Sequence, residues 1–546
     1  MKVIDLFCGA GGFSEGFERA GFEIVKAYDI WAPAILTHNQ NHGNGKEIAF
    51  RGDIYEISML ENEEFEKYIP DTEVIIGSPP CIAFSNSNRS GKADKTQGVK
   101  LIQAFLRIVA RKMNKPNSKL RYWVMENVEN SLAFVEDNYT AEDLNWPELG
   151  DFVLSVPQKN IFNMKYFGVP TNRKRSICGF YPELKELNGD KEIITLGEVQ
   201  KALGKPAPLN YMNSSKVIID PIYGIEILNR DLTDHHYVKE VPYFEWIKAK
   251  RQKQDKGYMG KMSFPENKDK PARTIMATLS GAARESMIFE LEVENLREKY
   301  RFPTIREAAT LMSFPIDFRF YGESDAVKYK MVGNAVAPKF SYEIARAIRK
   351  ALNGKFSNDK FSVKKAFKED ISFTNLNGIV FELKKEKPKK FESKYSYHVP
   401  YLIEKAYRVG LENQFIDGEV KWKTKIHYSQ GRNAKVYEDI FVNLCLYESD
   451  EILQIINFIK EYIREIRSFE NLQNQYCKTF EDRDGLGPDE LLNNIRDFIE
   501  SNKGLSRLAF IKEIGKEISM KIITSYYLLE NILRGLENAN KNTGIK

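Results

Sequence analysis

Residues 5–17 read DLFCGAGGFSEGF, with Gly9, Gly11 and Gly12 wedged between an apolar run and an amphipathic one. The run it grows from, VIDLF (3–7), has the character of a short buried strand, and Ser14–Ala20 carries apolar residues at helical steps. Strand, glycine turn, helix is the opening unit of a doubly wound sheet, in which the glycines let backbone approach a ligand closely. No Lys-Ser/Thr pair closes the turn, so it is not a phosphate-gripping loop, and Ser14 stands where the third glycine of a dinucleotide fingerprint belongs.

Outward from that turn the same rhythm repeats. IVKAYD (24–29), VIIGS (74–78), WVMENV (123–128) and SICGF (176–180) each read as a buried strand ending in a small or polar residue, and Leu101–Lys112 reads as a helix between two of them. This predicts a doubly wound α/β sheet with its ligands at the carboxyl ends of the strands. Asp29 ends the second strand, where a carboxylate accepts ribose hydroxyls, and Asp53, in RGDI, ends a third, where it can read an adenine amino group. A nucleoside cofactor such as S-adenosylmethionine fits these features as well as a dinucleotide does. Further helices are expected at Thr304–Ser313 and Pro338–Leu352.

Composition narrows the classes. The chain has 546 residues, 42% hydrophobic and 29% charged, as a soluble globular protein of more than one domain would have. A net charge of +5 is small for that length, so any nucleic-acid surface must be a local patch. Cys8, Cys81, Cys178, Cys445 and Cys477 are scattered and never spaced as CxxC, which argues against a disulfide framework or a zinc site. No apolar run reaches the roughly 18 residues of a membrane span. A cytoplasmic protein, with no membrane and no metal, is the expectation.

The chemistry is expected on the strand-end rim. GSPPCIAFSNSNRSG puts Cys81 behind a Pro-Pro corner and ahead of a polar run with Arg89, a setting that favours a reactive thiolate over a core thiol. In WVMENVENS, Glu126 ends another strand on the same rim, and in GVPTNRKRSICGF, Arg173 and Arg175 alternate toward one side of an incoming strand. Paired arginines suit anion or base-edge contacts.

Taken in order, DLFCGAGGFSEGF, GDI, GSPPC, MENV, FGVPTNRKR, TIREAATLMSFP and YKMVGNAVAP resemble the motif series of the DNA cytosine-5 methyltransferases, over residues 1–180 and 300–350. The resemblance implies an α/β fold: a Rossmann-like S-adenosylmethionine-dependent methyltransferase sheet, a small irregular target-recognition domain and, here, an additional α/β or α+β C-terminal domain. It implies that Cys81 attacks C6 of a cytosine flipped out of double-stranded DNA, that Glu126 engages N3, that Arg175 supports the base, and that Arg173 serves the polar network. S-adenosylmethionine would contact Phe7, Gly9, Gly11, Gly12, Asp29, Ile30, Asp53, Ile54, Pro80, Leu101, Asn334 and Val336. The family further implies a bacterial restriction-modification system with a cognate restriction endonuclease, and a monomer acting on DNA. An RNA cytosine-5 methyltransferase is the alternative, disfavoured by the size of the 185–295 insert. Ile82 stands where the family usually has Gln, Thr171 replaces another Gln, and Ile30 replaces an aromatic.

By position, 185–299 is expected to be the target-recognition domain, between catalytic segments 1–184 and 300–354. Ser85 and Arg89 behind the cysteine, and Arg273 and Arg284 in PARTIMATLSGAARES (271–286, with Thr278 and Ser280), are the candidate DNA contacts. Beyond lie a basic linker (355–395, with KKEKPKK at 384–390) and an accessory domain (396–546) outside the resemblance. There KWKTKIHY (421–428) alternates as a strand with Lys421, Lys423 and Lys425 outward as candidate phosphate contacts, and helices are expected from 451 and over 506–540. Asp417, Glu419 and Lys421 form a D-x-E-x-K run, which would suit a Mg²⁺-dependent nuclease.

Overall fold

The structure is a computed structural model, and it describes residues 1–80, 95–186, 193–206, 216–232, 236–255, 261–281, 283–291, 298–353, 384–429 and 434–543. Cys81, Ile82, Ser85 and Arg89 lie outside the described residues. The chain divides into two compact units, Met1–Val241 with Pro265–Glu382, and Pro242–Phe264 with Leu383–Lys546.

Seven strands make the sheet of the first unit: β1 (Lys2–Leu6), β2 (Glu23–Asp29), β3 (Ala49–Arg51), β4 (Val74–Gly77), β5 (Tyr122–Val128), β6 (Gln158–Asn163) and β7 (Lys174–Phe180). Their spatial order is β3-β2-β1-β4-β5-β7-β6. The first five pair in parallel, whereas β7 runs antiparallel to both β5 and β6. The expected doubly wound sheet is therefore present, with β6 and the reversed direction of β7 added to it.

Along the central strands, successive side chains enter opposite cores. Val3, Ile76 and Val124 join one apolar cluster, while Ile4, Ile75, Trp123 and Met125 join another. Burial on both faces is why these strands read as continuous apolar runs rather than alternating ones.

The helices of this unit are α1 (Gly12–Arg19), α2 (Ala32–Asn41), α3 (Ile54–Ser58), α4 (Asn62–Tyr68), α5 (Thr96–Met113) and α6 (Leu196–Leu203), then, beyond α7 (Tyr243–Gln254) of the other unit, α8 (Ile305–Leu311), α9 (Asp325–Asn334) and α10 (Pro338–Ala351). Helix α10 buries Phe340, Ile344 and Ile348 and lies against α1 so closely that a Cβ on Gly16 would sit 2.4 Å from the Tyr342 nitrogen. Ser341 Oγ donates to the Phe13 carbonyl at 2.6 Å, so the end of the unit closes over its beginning.

The second unit has an antiparallel sheet of β8 (Ser396–His398), β9 (Tyr407–Ile416), β10 (Glu419–Tyr428) and β11 (Lys435–Tyr437). Helices α11 (Ser449–Ile466), α12 (Phe469–Cys477), α13 (Pro488–Ser501) and α14 (Met520–Thr543) pack on it, an α+β arrangement. The alternation expected in β10 holds, with Trp422 and Ile426 buried, and Trp422 Nε1 donating to the Phe469 carbonyl. The stretch expected to be helical over 506–540 begins instead with a hairpin, Leu508–Ile511 paired to Lys516–Ser519, before α14 starts. Leu508 and Phe510 point outward while Ile511 is buried, a period of two inside a segment that reads as helical only from Met520.

Helix α7 lies within the stretch expected to be an irregular recognition domain, and it belongs to the second unit. Among the described residues no helix is long and apolar enough to cross a membrane.

Candidate active site

Three neighbouring strands bring three side chains to one rim. Gly77 of β4 lies opposite Met125 of β5, so the next residues, Ser78 and Glu126, end up side by side. Across the antiparallel β5–β7 pair, Arg175 faces Val128, which makes it the diagonal neighbour of Glu126. The result is a buried carboxyl, 4% exposed, whose Oε2 accepts from Ser78 Oγ at 2.6 Å. Its Oε1 lies 3.2 Å from Arg175 Nε but accepts no hydrogen bond among the described residues. That oxygen is an ion-pair partner with a lone pair still open. Burying a polar atom without a hydrogen bond is costly, and at a cleft it marks a place kept for a ligand.

The adjoining turn is held from behind. Asn127 Nδ2 donates to the Pro79 carbonyl at 3.1 Å, tying the Pro-Pro corner to β5 immediately before residue 81. Pro80 is exposed at this corner. Of the other thiols in the first unit, Cys8 and Cys178 are both buried, and burial pushes the Cys8 thiol well up and that of Cys178 up to about 12. Neither is a usable nucleophile near neutrality.

Arginine 173 does a different job from Arg175. It is buried, and its guanidinium donates to the carbonyls of Gly333 (3.2 Å), Ala335 (3.1 Å) and Ile275 (3.4 Å). It joins the start of β7 to the end of α9. Thr171, where the family usually has Gln, donates to the Leu311 carbonyl at 2.6 Å, so that position is spent on holding α8.

On the other half of the rim, Phe7 follows β1 with φ 59° and the chain turns through the glycines. Gly11 has φ 95°, and a Cβ there would lie 2.5 Å from His42 Nε2. A Cβ on Gly12 would meet the Val336 carbonyl at 2.2 Å, so only glycine lets the GNAVAP loop seat against this turn. Asp29 accepts the Gly9 N–H at Oδ2 and the Trp31 N–H at Oδ1, both at 2.9 Å. Burial nonetheless raises its pKa above the ordinary carboxylate value.

Ile30 beside it is 62% exposed, an apolar surface next to the carboxylate. Asp53 is exposed and its carboxylate accepts the Tyr55 N–H at the start of α3, whereas Ile54 is 1% exposed and belongs to the core. Leu101 is half-buried on α5 and Asn334 is exposed at the end of α9.

The DNA-contact candidates Arg273 and Arg284 are not free. Arg273 makes a two-point pair with Glu266, at 2.8 and 2.7 Å, and Arg284 is buried. In the second unit Lys421 pairs with Glu419 at 2.9 Å, and Lys425 lies 3.0 Å from Glu412 and 3.1 Å from Glu438. Asp417 and Gly418 form the β9–β10 hairpin turn, both with positive φ (50° and 83°). The D-x-E-x-K run is thus a turn and an ion pair, and it gathers no metal-binding cluster among the described residues.

Sequence reading passed over Ser78, whose partner Glu126 is set by the register of β4 against β5. It also missed the buried network under the glycine turn: Ser14 Oγ donates to Asp5 at 2.7 Å and lies 3.0 Å from His38 Nε2, and His42 lies 2.8 Å from Glu18. Glu15, Glu18 and His42 come close enough to hold a cation, but Arg19 already pairs with Glu15 and supplies the positive charge.

The model of the C-5 cytosine-specific DNA methylases matches residues 1–350. The chain belongs to that family. Among its relatives are the type II methyltransferase M.MthTI of Methanothermobacter thermautotrophicus, 28% identical over 65% of this chain and 98% of the relative, and M.NgoPII of Neisseria gonorrhoeae, 30% identical over 64% and 96%. Solved structures similar to it include the S. pombe Dnmt2 methyltransferase, 19% identical with a TM-score of 0.40 over 65% of this chain and 99% of that one. The methylase match stops at residue 350 and so leaves the C-terminal segment outside it.

Proposed function

We propose that this methylase transfers a methyl group to C5 of a cytosine in a specific double-stranded DNA sequence, as the modification enzyme of a restriction-modification system with a cognate endonuclease. The observation that carries the reading is the Glu126 carboxyl, oriented by Ser78, flanked by Arg175 and with Oε1 unspent.

A base inside the stack is out of reach of such a rim, so the target cytosine must swing out of the duplex. The Cys81 thiolate then adds to C6, while Glu126 hydrogen-bonds or protonates N3 and draws electron density into the ring. C5 becomes nucleophilic and takes the methyl group. Loss of the C5 proton and departure of the thiolate from C6 restore the aromatic ring and the free enzyme. Arg175, held against the carboxyl, supports the flipped base. Ser85 and Arg89 follow Cys81 in sequence and would close on the DNA.

The methyl donor is S-adenosylmethionine, which supplies an electrophilic methyl on a sulfonium. The residues fit a nucleoside of that kind. Gly9 has positive φ and open space where a Cβ would be, Asp29 presents a carboxylate beside the exposed apolar Ile30, and Val336 seats against Gly12. Phe7, Gly11, Asp53, Pro80, Leu101 and Asn334 would complete its surroundings. The buried Ile54 would act through the backbone if at all.

The test is methyl transfer from labelled S-adenosylmethionine to duplex DNA and to tRNA, followed by bisulfite sequencing. Label in DNA, with protected cytosines in one sequence context, is expected. Label in tRNA alone would overturn the reading.

A further inference from the structure

Helix α7 belongs to the second unit, and the chain before Pro242 and after Phe264 belongs to the first. Val241, two residues before it, donates its N–H to the Tyr300 carbonyl at 2.9 Å, and Glu266 donates its own to the Ile288 carbonyl at 3.0 Å, all four residues belonging to the first unit. Everything from Pro242 to Phe264 is built into the second. The recognition region therefore contains an excursion whose fold belongs to a domain that begins more than a hundred residues later in the chain.

The grip combines a half-buried ion pair with one fully buried carboxylate. Arg251 Nη1 lies 2.6 Å from Asp489 Oδ1, and the same oxygen accepts from Tyr395 OH at 2.9 Å. The guanidinium also sits over the Tyr397 ring, 5.0 Å from its centre. Asp255, the residue after α7, is 1% exposed and accepts from Tyr397 OH (2.9 Å) and from the Tyr401 N–H (2.6 Å), with His398 Nε2 3.1 Å away. At the other end Tyr243 packs tilted against Phe480, ring centres 4.2 Å apart, and Glu245 pairs with Lys384 at 2.6 Å.

A buried charge is a poor general stabiliser but good at fixing one register, because any slippage would leave Asp255 in the interior without its partners. A helix that merely filled space could have been held by apolar contacts. This one ends in a buried carboxylate that tolerates only one position.

We propose that the C-terminal unit is a positioning domain for target recognition. By fixing α7 it fixes the two strands of chain that enter and leave it, and with them the segment carrying the Glu266–Arg273 pair, which begins one residue after the return. DNA affinity then depends on Asp489 and Tyr397, residues outside the methylase match, while cofactor binding and chemistry do not. The proposal rests on the reading of the chain as a DNA methylase.

It is tested on the full-length enzyme with Asp489→Asn and, separately, Tyr397→Phe, measuring KM for duplex DNA, Kd for S-adenosylmethionine and kcat at saturating DNA. Asp489→Asn should raise the DNA KM tenfold or more, with the cofactor Kd within twofold and kcat within threefold. Tyr397→Phe, which removes one hydroxyl and keeps the ring, should move the same constant in the same direction by less. The charge swap R251D/D489R should bring the DNA KM back within threefold of the parent. An unchanged DNA KM in Asp489→Asn would overturn the proposal, as would a fall in kcat proportional to lost folded enzyme with KM constant. Should Asp489→Asn not fold, an unchanged DNA KM in Tyr397→Phe overturns it equally. A parent enzyme that binds cofactor yet methylates no DNA sinks the reading beneath, before any variant is made; an active parent with insensitive variants sinks only the positioning role.

Discussion

Set the strand-end rim of the first unit beside the β10 face of the second. On the rim, a buried polar atom keeps unspent capacity: Glu126 Oε1 accepts no hydrogen bond among the described residues. On β10, the half-exposed Lys421 and Lys425 are already matched by Glu419, Glu412 and Glu438. Both regions are rich in charge, yet their arrangement differs in kind. A carboxyl buried at a cost and left open is available to a substrate, whereas exposed charges answered by neighbours contribute little beyond solubility and register.

The comparison can be broken at its strong end first. Cys81→Ala should lower methyl transfer by about a thousandfold or more, since no other thiol of the first unit can replace the nucleophile. Calorimetry should find cofactor binding unchanged, and retained turnover would end the covalent account. Glu126→Gln keeps the shape and removes the proton, so kcat should fall by about a hundredfold with DNA binding intact. Ser78→Ala leaves Glu126 without its 2.6 Å donor, and loss of a hydrogen bond to a charged group should cost about tenfold in kcat, with Ser78→Thr restoring most of it.

At the weak end, Lys421→Ala combined with Lys425→Ala should change the slope of log affinity against log salt by less than about one, the contribution of a single phosphate contact. A loss of two would show that these lysines leave their glutamates for DNA.

The same contrast explains what could be read in advance. The sheet strands were legible because burial on both faces makes them apolar throughout, and the glycine turn because Gly11 and Gly12 have no substitutes where His42 and Val336 press in. Glu126 was visible as an acid ending an apolar strand. Ser78 was not, since its role arises only from the register of β4 against β5. Nor was the antiparallel course of β7, because residue pattern carries no strand direction.

The outward face of β10 was correctly assigned to Lys421, Lys423 and Lys425, and Glu419 lies beside Lys421 on the same strand, but the partners of Lys425 sit on β9 and beyond β11, and no local pattern encodes cross-strand pairing. Helix α7 was invisible for a related reason. Its sequence, YFEWIKAKRQKQ, shows basic residues, and nothing in it announces that Arg251 answers Asp489, 238 positions away.

The most direct measurement of the central claim uses duplex DNA in which the target cytosine carries fluorine at C5. The thiolate can add to C6 and the methyl can be transferred, but fluorine cannot leave as the proton does, so the enzyme stalls while bonded to the base. Incubation with S-adenosylmethionine, denaturation and peptide mass spectrometry should find one equivalent of DNA attached at Cys81, with Cys8 and Cys178 unmodified. No adduct that survives denaturation, or one attached at any other residue, would contradict the account.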